Sequence, residues 1–372
     1  MLTMLRVAAD GAGLTPDGGT IPFPASVVSM CRLATGRSAL SHLIQRLPRP
    51  HAATVLLPAY VAEGVIQPFL MAGFTVLFYR LQPDLRPLIE DVANLLDQVN
   101  GVAVIVLIHY FGFSAHSAEL SSVLSPYQPV VVDDCAHAPF TTTPDGRALA
   151  GKADIALYSL NKFLPVADGA ILTSNRSDID LSLDEMALPE LPDETQQAYQ
   201  HHLQTGRELL NCNVSVQAKS ILEKLGGFYE QYYAVINADL SPFRQSARSR
   251  HIEKNFPYGL LVNNRLLNSR IVYEGLKSSV FSLVYPTLPT GVVPWCIPAR
   301  VPALRRAEIL ERLFDQGILL STLQDKWDFI PATQRSYFAD EAAFLDEHVL
   351  IPISEFITTA SMRDMVERLN RL

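Results

Sequence analysis

Four short segments of this sequence contain polar residues whose types and spacing suit covalent chemistry. They are TGRSAL (35–40), PAYVAEG (58–64), VVDDCAHA (131–138) and YSLNKF (158–163). In the last of these, Lys162 stands alone between two apolar runs, where a buried sheet would leave it at the end of a strand. A lysine amine in such a place can form a Schiff base with an aldehyde and then move protons. We therefore predict that this lysine forms a covalent bond with a ligand.

The segments that must position these residues form an α/β pattern. Short β-branched runs alternate with helix-period segments from about residue 36 to 175. The runs are TVLLP (54–58), FTVLFY (74–79), VAVIVLIHY (102–110), PVVVDD (129–134), ADIALYS (153–159) and GAILTS (169–174). Because most of them are apolar on both faces, we expect a largely parallel sheet covered by helices. Ligands bind at the carboxyl ends of the strands of such sheets, where the four polar segments lie.

Beyond residue 175 the pattern changes. A long polar helical stretch is predicted at 193–210, and a proline-punctuated tail with alternating strands and helices follows it. We place a domain change near residue 240, which gives a large domain at 1–240 and a smaller C-terminal α/β domain at 241–372.

Each polar segment taken alone has an ordinary structural interpretation. The turn 36–38 before a helix is either an N-cap or a cradle of backbone N–H groups for an anion. The Asp133–Asp134 pair after a buried strand commonly caps the next helix, and His137 could be a hydrogen-bonded core histidine. These alternatives remain open for each segment by itself.

Together the four segments meet the needs of pyridoxal 5′-phosphate (PLP). The lysine amine bonds the aldehyde, and a carboxylate facing the pyridine nitrogen keeps it protonated, so that the ring can accept electrons. An aromatic side chain stacks on the ring, while hydroxyl groups and backbone N–H groups hold the phosphate. We therefore interpret the strand ends as a PLP site, with no metal.

The sequence resembles the DegT/DnrJ-type sugar aminotransferases, a PLP-dependent family of fold type I, over most of its length. VVVDDCAHA is similar to the strand of that family that ends in an acidic pair, and YSLNKFLPVADGAILTS is similar to its lysine loop. The resemblance implies that Lys162 forms the Schiff base and that Asp134 contacts the pyridine nitrogen. It also implies that His137 lies near the phenolic oxygen of the ring.

The remaining site residues come from the same resemblance. GRSAL is similar to the turn that receives the phosphate, which implies Gly36, Arg37 and Ser38 as ligands, and the resemblance implies Ser159 as a further phosphate ligand. LPAYV occupies the place of the ring-stacking aromatic, here Tyr60. Two departures stand out: Arg37 replaces the usual Thr or Ser, and NCNVSVQAK (211–219) lacks the Gly and Arg of a segment that supplies an asparagine to the neighbouring subunit's phosphate.

The resemblance implies a PLP-dependent transferase of fold type I, with a large cofactor-binding domain and a small C-terminal domain, acting as a homodimer. Its partners are a small-molecule amino donor, commonly glutamate, and a keto acceptor, usually a nucleotide-linked sugar used in polysaccharide or natural-product biosynthesis. The same cofactor and lysine also suit a dehydratase or a non-sugar aminotransferase. A non-catalytic regulator that keeps the fold is a further alternative.

One rival class uses another residue as the nucleophile. Ser159-x-x-Lys162 spells the S-x-x-K motif of penicillin-recognising serine acyl enzymes. That motif should open a long helix, whereas Pro165 and Gly169 follow here, and its companion motifs are missing from the sequence.

Composition sets the outer limits. The 372 residues are 48% hydrophobic, and 30 Lys+Arg against 38 Asp+Glu give a net charge of −8, which argues against a nucleic-acid partner. The four cysteines form no C-x-x-C pair, as suits a reducing, cytoplasmic setting. We read no export signal in the first residues and no run long enough to span a membrane.

Overall fold

A computed structural model describes residues 17–47, 53–99, 103–210, 215–323 and 327–372. The N-terminal stretch considered above for an export signal lies outside the described residues. So do residues 211–214, the first four of the segment compared with the family's asparagine motif.

The centre of the molecule is a seven-stranded sheet, counted over the described residues. Its strands are β1 (Ser29–Leu33), β2 (Thr54–Pro58), β3 (Thr75–Tyr79), β4 (Ala103–Ile108), β5 (Val130–Asp134), β6 (Ile155–Ser159) and β7 (Ala170–Ser174). Their spatial order is β1-β7-β6-β5-β4-β2-β3, and the neighbours from β3 to β6 all pair in parallel. The prediction of a largely parallel sheet is therefore confirmed. Every residue of β4 is buried, which accounts for its unbroken apolar sequence.

The connection between β6 and β7 determines how Lys162 is presented. Only residues 160–169 join these strands, whereas a parallel crossover needs about a dozen residues or more. The chain therefore turns back directly, and β7 pairs antiparallel with β6. Gly169 ends the turn with a φ of 131°. A side chain is strained at this φ, and a Cβ atom there would also lie 2.8 Å from the side-chain nitrogen of Gln245.

Helices connect most of the parallel strands and make up much of the chain after the sheet. They are α1 (Gly36–Arg46), α2 (Glu63–Met71), α3 (Ile89–Gln98), α4 (Ala118–Leu124), α5 (Asp193–Leu210), α6 (Ser215–Ala238), α7 (Ala247–Asn255), α8 (Tyr258–Gly275), α9 (Arg306–Asp315), α10 (Ala339–Glu347) and α11 (Thr359–Leu369). Helix α5 has the bounds predicted for the polar helical stretch, and it packs on α6. None of the described helices has the length and apolar character needed to cross a membrane.

A second, smaller core lies in the C-terminal part of the chain. Its sheet is antiparallel, with β8 (Ser282–Leu283), β9 (Ile297–Arg300) and β10 (His348–Ile351) in the order β10-β9-β8. Helices α8 and α11 pack together beside it. Leu261 near the start of α8 belongs to the main core, whereas Val272 near its end belongs to the smaller one. The domain boundary near residue 240 stays a prediction.

Candidate active site

A cavity of about 230 Å³ lies at the carboxyl ends of three parallel strands. The residues that end β4, β5 and β6, which are Ile108, Asp134 and Ser159, all line it. The first turns of α1 and α2 and one face of α6 form further walls. Six of the eight predicted site residues border this cavity, namely Gly36, Arg37, Asp134, His137, Ser159 and Lys162. The other two, Ser38 and Tyr60, are buried outside its lining.

Lys162 is the last residue of the 3-10 turn Leu160–Lys162 that follows β6. Its carbonyl oxygen accepts a hydrogen bond of 3.1 Å from Nε1 of Trp295. Its Nζ lies 5.7 Å from the centre of the same indole ring. One tryptophan therefore positions both the main chain and the side chain of the lysine.

Ser159 ends β6, three residues before the lysine. Its hydroxyl donates a 3.0 Å hydrogen bond to Oδ1 of Asn161, and both side chains line the cavity. Ser159 and Lys162 thus span a strand end and a three-residue turn. This geometry differs from the long helix that the S-x-x-K motif of serine acyl enzymes should open.

Asp134 presents a buried carboxyl group to the cavity. The residue is 7% exposed, and its Oδ1 accepts the N–H of Ala136 at 2.9 Å. Burial raises the pKa of this carboxyl, while the N–H of Ala136 and the charge of Lys162 partly oppose that rise. A cation next to this carboxylate would stabilise its charge and lower its pKa. The side chain is therefore suited to a positively charged ring nitrogen.

His137 lies in an aromatic stack at the edge of the same cavity. Its ring centre is 4.1 Å from that of Trp295 at 8° and 5.7 Å from that of Phe111 at 20°. Burial, and then the charge of Lys162, hold the pKa of the imidazole well below its usual range. Its Nδ1 is buried without a hydrogen-bond partner among the described residues. The side chain therefore offers a neutral imidazole nitrogen at the cavity wall.

In the first turn of α1, some residues form the helix cap and others present N–H groups to the cavity. The Thr35 hydroxyl is the N-cap and accepts the N–H of Ser38 at 3.0 Å, and the two hydroxyl groups are also 3.0 Å apart. Ser38 is thus engaged in the cap. The N–H groups of Gly36 and Arg37 precede the first intrahelical bond and lie at the cavity, where the N-terminus of a helix favours an anion.

The guanidinium of Arg37 lies where two helix N-termini meet. It stacks 5.0 Å from the centre of the Tyr233 ring, and its Nε is buried without a hydrogen-bond partner among the described residues. A Cβ atom on Gly64, the second residue of α2, would lie only 2.7 Å from Cζ of Arg37. The glycine therefore leaves the space that the guanidinium occupies, and the charge of Arg37 lies beside the first turns of α1 and α2.

Tyr60 does not lie where the sequence resemblance places a ring-stacking aromatic. The side chain is fully buried beneath the cavity wall, against Tyr110, Trp327 and Phe344 at ring-centre distances of 5.4, 4.7 and 5.1 Å. Ala62 is the residue of that segment nearest to Tyr60 in sequence that borders the cavity. The direction of the chain after β2 thus turns the tyrosine ring into the core.

Several residues that line the cavity were not predicted from the sequence. Helix α6 contributes the face Tyr229, Tyr232, Tyr233 and Ile236, and the C-terminal part of the chain contributes Thr322, Leu323 and Trp327. The α6 residues recur at offsets of 3, 4 and 7, a helical face that the tyrosines could have revealed. The rarity of tryptophan, two in 372 residues, was the only signal at Trp327.

The carboxyl group of Asp133 lies in a different environment from that of Asp134. His109 accepts the N–H of Ala115 at Nδ1, so its Nε2 bears the proton and faces Oδ2 of Asp133 at 3.2 Å. Nε2 of His116 lies 2.8 Å from the same oxygen. Burial opposes ionisation of Asp133, but the two histidines outweigh it and hold the pKa below its usual range. The three groups lie close enough together to bind a metal ion, so the expected absence of a metal stays a prediction.

The parallel sheet, with a lysine turn after β6 and a buried carboxylate at the end of β5, defines a PLP-dependent transferase of fold type I. Residues 33–231 match the model of the DegT/DnrJ/EryC1/StrS aminotransferase family. Because the match spans more than half of the chain, the protein belongs to this family. It is a PLP-dependent aminotransferase, and the resemblance drawn from the sequence is confirmed.

Solved structures with low sequence identity to this chain share its fold. PseC of Helicobacter pylori, an aminotransferase involved in pseudoaminic acid biosynthesis, is 14% identical with a TM-score of 0.65, over 93% of this chain and 86% of that chain. The sugar aminotransferase CalS13 of Micromonospora echinospora is 17% identical with a TM-score of 0.63, over 92% and 87%. DesI, solved in the presence of its TDP-sugar product, is 12% identical with a TM-score of 0.65, over 93% and 81%. No curated protein matches the chain by sequence.

The cavity residues fit PLP by their chemistry. The guanidinium of Arg37 and the first turn of α1 suit a phosphate, and Ser159 offers a further hydroxyl group at the cavity. The buried carboxyl of Asp134 suits a ring nitrogen cation, and the unpaired Nδ1 of His137 suits a polar substituent of the ring. Lys162 lines the same cavity and would supply the amine that bonds the aldehyde.

Proposed function

We propose that this enzyme transfers the amine of glutamate to the keto group of a nucleotide-linked sugar, in polysaccharide or natural-product biosynthesis. The observation that carries the proposal is that Lys162 and Asp134 line one cavity together with the first turn of α1. The family supports amine transfer. The names of the structural neighbours, which include sugar aminotransferases and a TDP-sugar product, support the acceptor class.

The proposed roles follow from position. When bound, PLP supplies an aldehyde for amines and a ring that accepts electrons. Lys162 holds the cofactor covalently and then accepts and returns the proton that moves during transfer. Asp134 keeps a proton on the ring nitrogen, because its buried carboxylate has few other hydrogen-bond donors to stabilise its charge. His137 orients the ring through its unpaired nitrogen.

At the other end of the cavity, Gly36 and Arg37 bind the phosphate through backbone N–H groups, and Arg37 and Ser159 bind it through their side chains. Ser38 supports this cradle indirectly, because its N–H and hydroxyl complete the Thr35 cap. The side walls from α6 exclude water from the reacting centre, which strengthens the electrostatic interactions inside the cavity.

A screen of amine acceptors tests the reaction. The PLP-loaded protein is incubated with glutamate, glutamine or alanine and with nucleotide-linked keto sugars, the free sugars or simple keto acids, and release of the donor's keto acid is followed. We expect repeated release of 2-oxoglutarate from glutamate only when a nucleotide-linked keto sugar is present, because glutamate alone can pass at most one amine to each bound cofactor. Transfer to simple keto acids alone would identify a non-sugar aminotransferase. Loss of a hydroxyl group without consumption of donor would identify a dehydratase, and cofactor binding without turnover would identify a regulator.

We also propose a homodimer in the cytoplasm. The family resemblance supports the dimer. Cys31, Cys135 and Cys296 are unpaired and buried, which is in keeping with a reducing compartment.

A further inference from the structure

The corner after β2 gives the cavity no aromatic surface. Its residues at the cavity wall are Ala62, Glu63, Gly64 and Val65, and none has an aromatic ring. Tyr60 lies beneath them, and its backbone oxygen accepts a hydrogen bond from the hydroxyl of Tyr110. Tyr60 therefore packs in the core behind the cavity wall and does not border the cavity.

Trp327 is an aromatic residue of the cavity lining that comes from the C-terminal part of the chain. Its indole is 6% exposed and lines the cavity together with Asp134, His137 and Lys162. The ring centre lies 5.8 Å from that of His137 with an angle of 26° between the planes. On its other side it packs against Tyr60 at 4.7 Å and Tyr110 at 6.0 Å. The indole is thus supported from behind by the core while one side borders the cavity.

The other aromatic residues at the cavity are the tyrosines of α6, which contact Arg37 and the lysine loop. Tyr233 packs under the guanidinium of Arg37, and its hydroxyl is 2.6 Å from that of Tyr229. The hydroxyl of Tyr232 donates to the carbonyl oxygen of Ala167 in the lysine loop. These contacts tie the α6 tyrosines to the anion-binding end and to the turn behind Lys162. They leave Trp327 as the aromatic residue of the described cavity lining that stacks near His137.

We propose that Trp327 supplies the aromatic surface that packs against the heteroaromatic ring of the cofactor, the role that the sequence resemblance gives to Tyr60. This inference rests on the proposed placement of PLP in the cavity. The segment that carries the tryptophan is attached to the smaller sheet, because the N–H of Leu323 donates to Nε2 of His348 at 2.8 Å and Ser321 bridges to Leu350. Coverage of the ring therefore depends on the C-terminal part of the chain.

Binding of pyridoxamine 5′-phosphate tests the proposal, because this amine form of the cofactor makes no bond to lysine and reports non-covalent contacts alone. The dissociation constant and the induced circular dichroism of the bound ring are measured for wild type, Trp327→Phe and Trp327→Leu. We expect Trp327→Leu to weaken binding about fivefold, as expected for the loss of one aromatic pair, and to change the dichroic band, while Trp327→Phe stays within about twofold of wild type.

Tyr110→Phe is the matched control, since Tyr110 packs on the same indole and lies outside the cavity lining. It should loosen the cluster without changing the dissociation constant, and the melting temperatures of the unliganded variants check that all of them fold. Wild-type affinity in Trp327→Leu, or equal weakening in Tyr110→Phe, would overturn the inference while leaving the proposed function intact. A wild-type protein that does not bind pyridoxamine 5′-phosphate would overturn both.

Discussion

Asp133 and Asp134 are neighbours in β5, yet their carboxyl groups serve opposite sides of the sheet. Asp134 lines the cavity with Lys162, whereas Asp133 is fully buried, is hydrogen-bonded to His116 and lies 3.2 Å from Nε2 of His109. Successive side chains of a strand point to opposite faces of the sheet. The carboxyl group of Asp134 therefore faces the cavity, while that of Asp133 contributes to packing and stability. The two residues can therefore be tested as a matched pair.

We expect Asp134→Asn to leave cofactor binding largely intact and to lower transamination by orders of magnitude. A neutral amide cannot hold a proton on the ring nitrogen, and each ~1.4 kcal/mol added to the barrier costs a factor of ten. Single-turnover kinetics with the loaded enzyme measure the effect. Asp133→Asn should instead lower the free energy of unfolding, because it removes the charge that His109 and His116 share. If Asp133→Asn stops turnover in a folded protein and Asp134→Asn does not, the assignment of the two carboxylates is reversed.

The purified, loaded protein should be yellow, and this colour should depend on Lys162. Lys162→Ala should lose the covalently held cofactor and all turnover, while keeping the fold. Borohydride reduction followed by peptide mapping identifies the modified lysine in the wild type. Lys152, an exposed lysine at the end of a 3-10 turn, is the internal comparison. Label on Lys152 in place of Lys162 would refute the assignment.

The sequence predicted the strands around the site better than the walls of the site. Runs such as VAVIVLIHY identify central strands because both faces are buried, and the residues at their ends then point to the cavity. β1 was missed, since SMCRL is half-exposed and contains Arg32. The reversal of β7 also followed from loop length, which the run GAILTS alone does not reveal.

The walls depend on contacts between residues far apart in sequence. Arg37 meets Gly64 and Tyr233, and no local pattern predicts such a contact. Tyr60 was placed by its position in a motif, but the direction of the chain after β2 turns its ring into the core, where Trp327 packs on it. A motif identifies the residue types that a reaction needs. The packing of the chain determines which aromatic residue borders the cavity.

The pair of His116 with Asp133 should make stability depend on pH. Burial alone would lower the pKa of His116, but the attraction of Asp133 outweighs it and raises the pKa above 6.5. The folded state therefore binds this proton more tightly, and the resulting stability is fully present below the unfolded pKa and is lost as pH rises through the folded pKa. The free energy of unfolding lost in His116→Asn should thus be larger near pH 5.5 than near pH 9.

Urea denaturation at the two pH values measures this difference, with His251→Asn as the control because His251 is exposed at the surface of α7. Equal losses for His116→Asn at both pH values would contradict the linkage. The lowered pKa of Asp133 acts at the acid end, since its contribution is present above the normal carboxyl pKa and is lost as pH falls through the folded value.

We expect the protein to form a homodimer whose second subunit completes the cavity. A homodimer with a large apolar interface would shield the reacting centre from water, as a carbanion-forming step in a low-dielectric site requires. Light scattering of the loaded enzyme should give twice the chain mass of 41.1 kDa, with activity falling on dilution. A fully active particle of the single-chain mass would refute a shared site.

Gly64→Ala should separate phosphate binding from stability. Alanine in the first turn of α2 is expected to stabilise the fold by roughly 0.5–1 kcal/mol relative to glycine. Its Cβ would also lie 2.7 to 3.0 Å from Cζ and the terminal nitrogens of Arg37, and the flexible guanidinium is the group that must move. A displaced guanidinium loses a charge-assisted bond to phosphate, so PLP affinity should fall about tenfold or more while the melting temperature is unchanged or higher.

Gly151→Ala is the control for this substitution, because a Cβ at Gly151 meets no atom within 4 Å and the residue is far from the cavity lining. It should change neither the affinity nor the spectrum of the bound cofactor. Arg37→Gln should match Gly64→Ala in PLP affinity, and both should bind pyridoxal, which lacks the phosphate, as well as wild type does. Weakened binding of pyridoxal in either variant would show that Arg37 contacts another part of the ligand. Wild-type PLP affinity in both would remove the guanidinium from the phosphate site and leave only the first turn of α1 and Ser159 to hold that group.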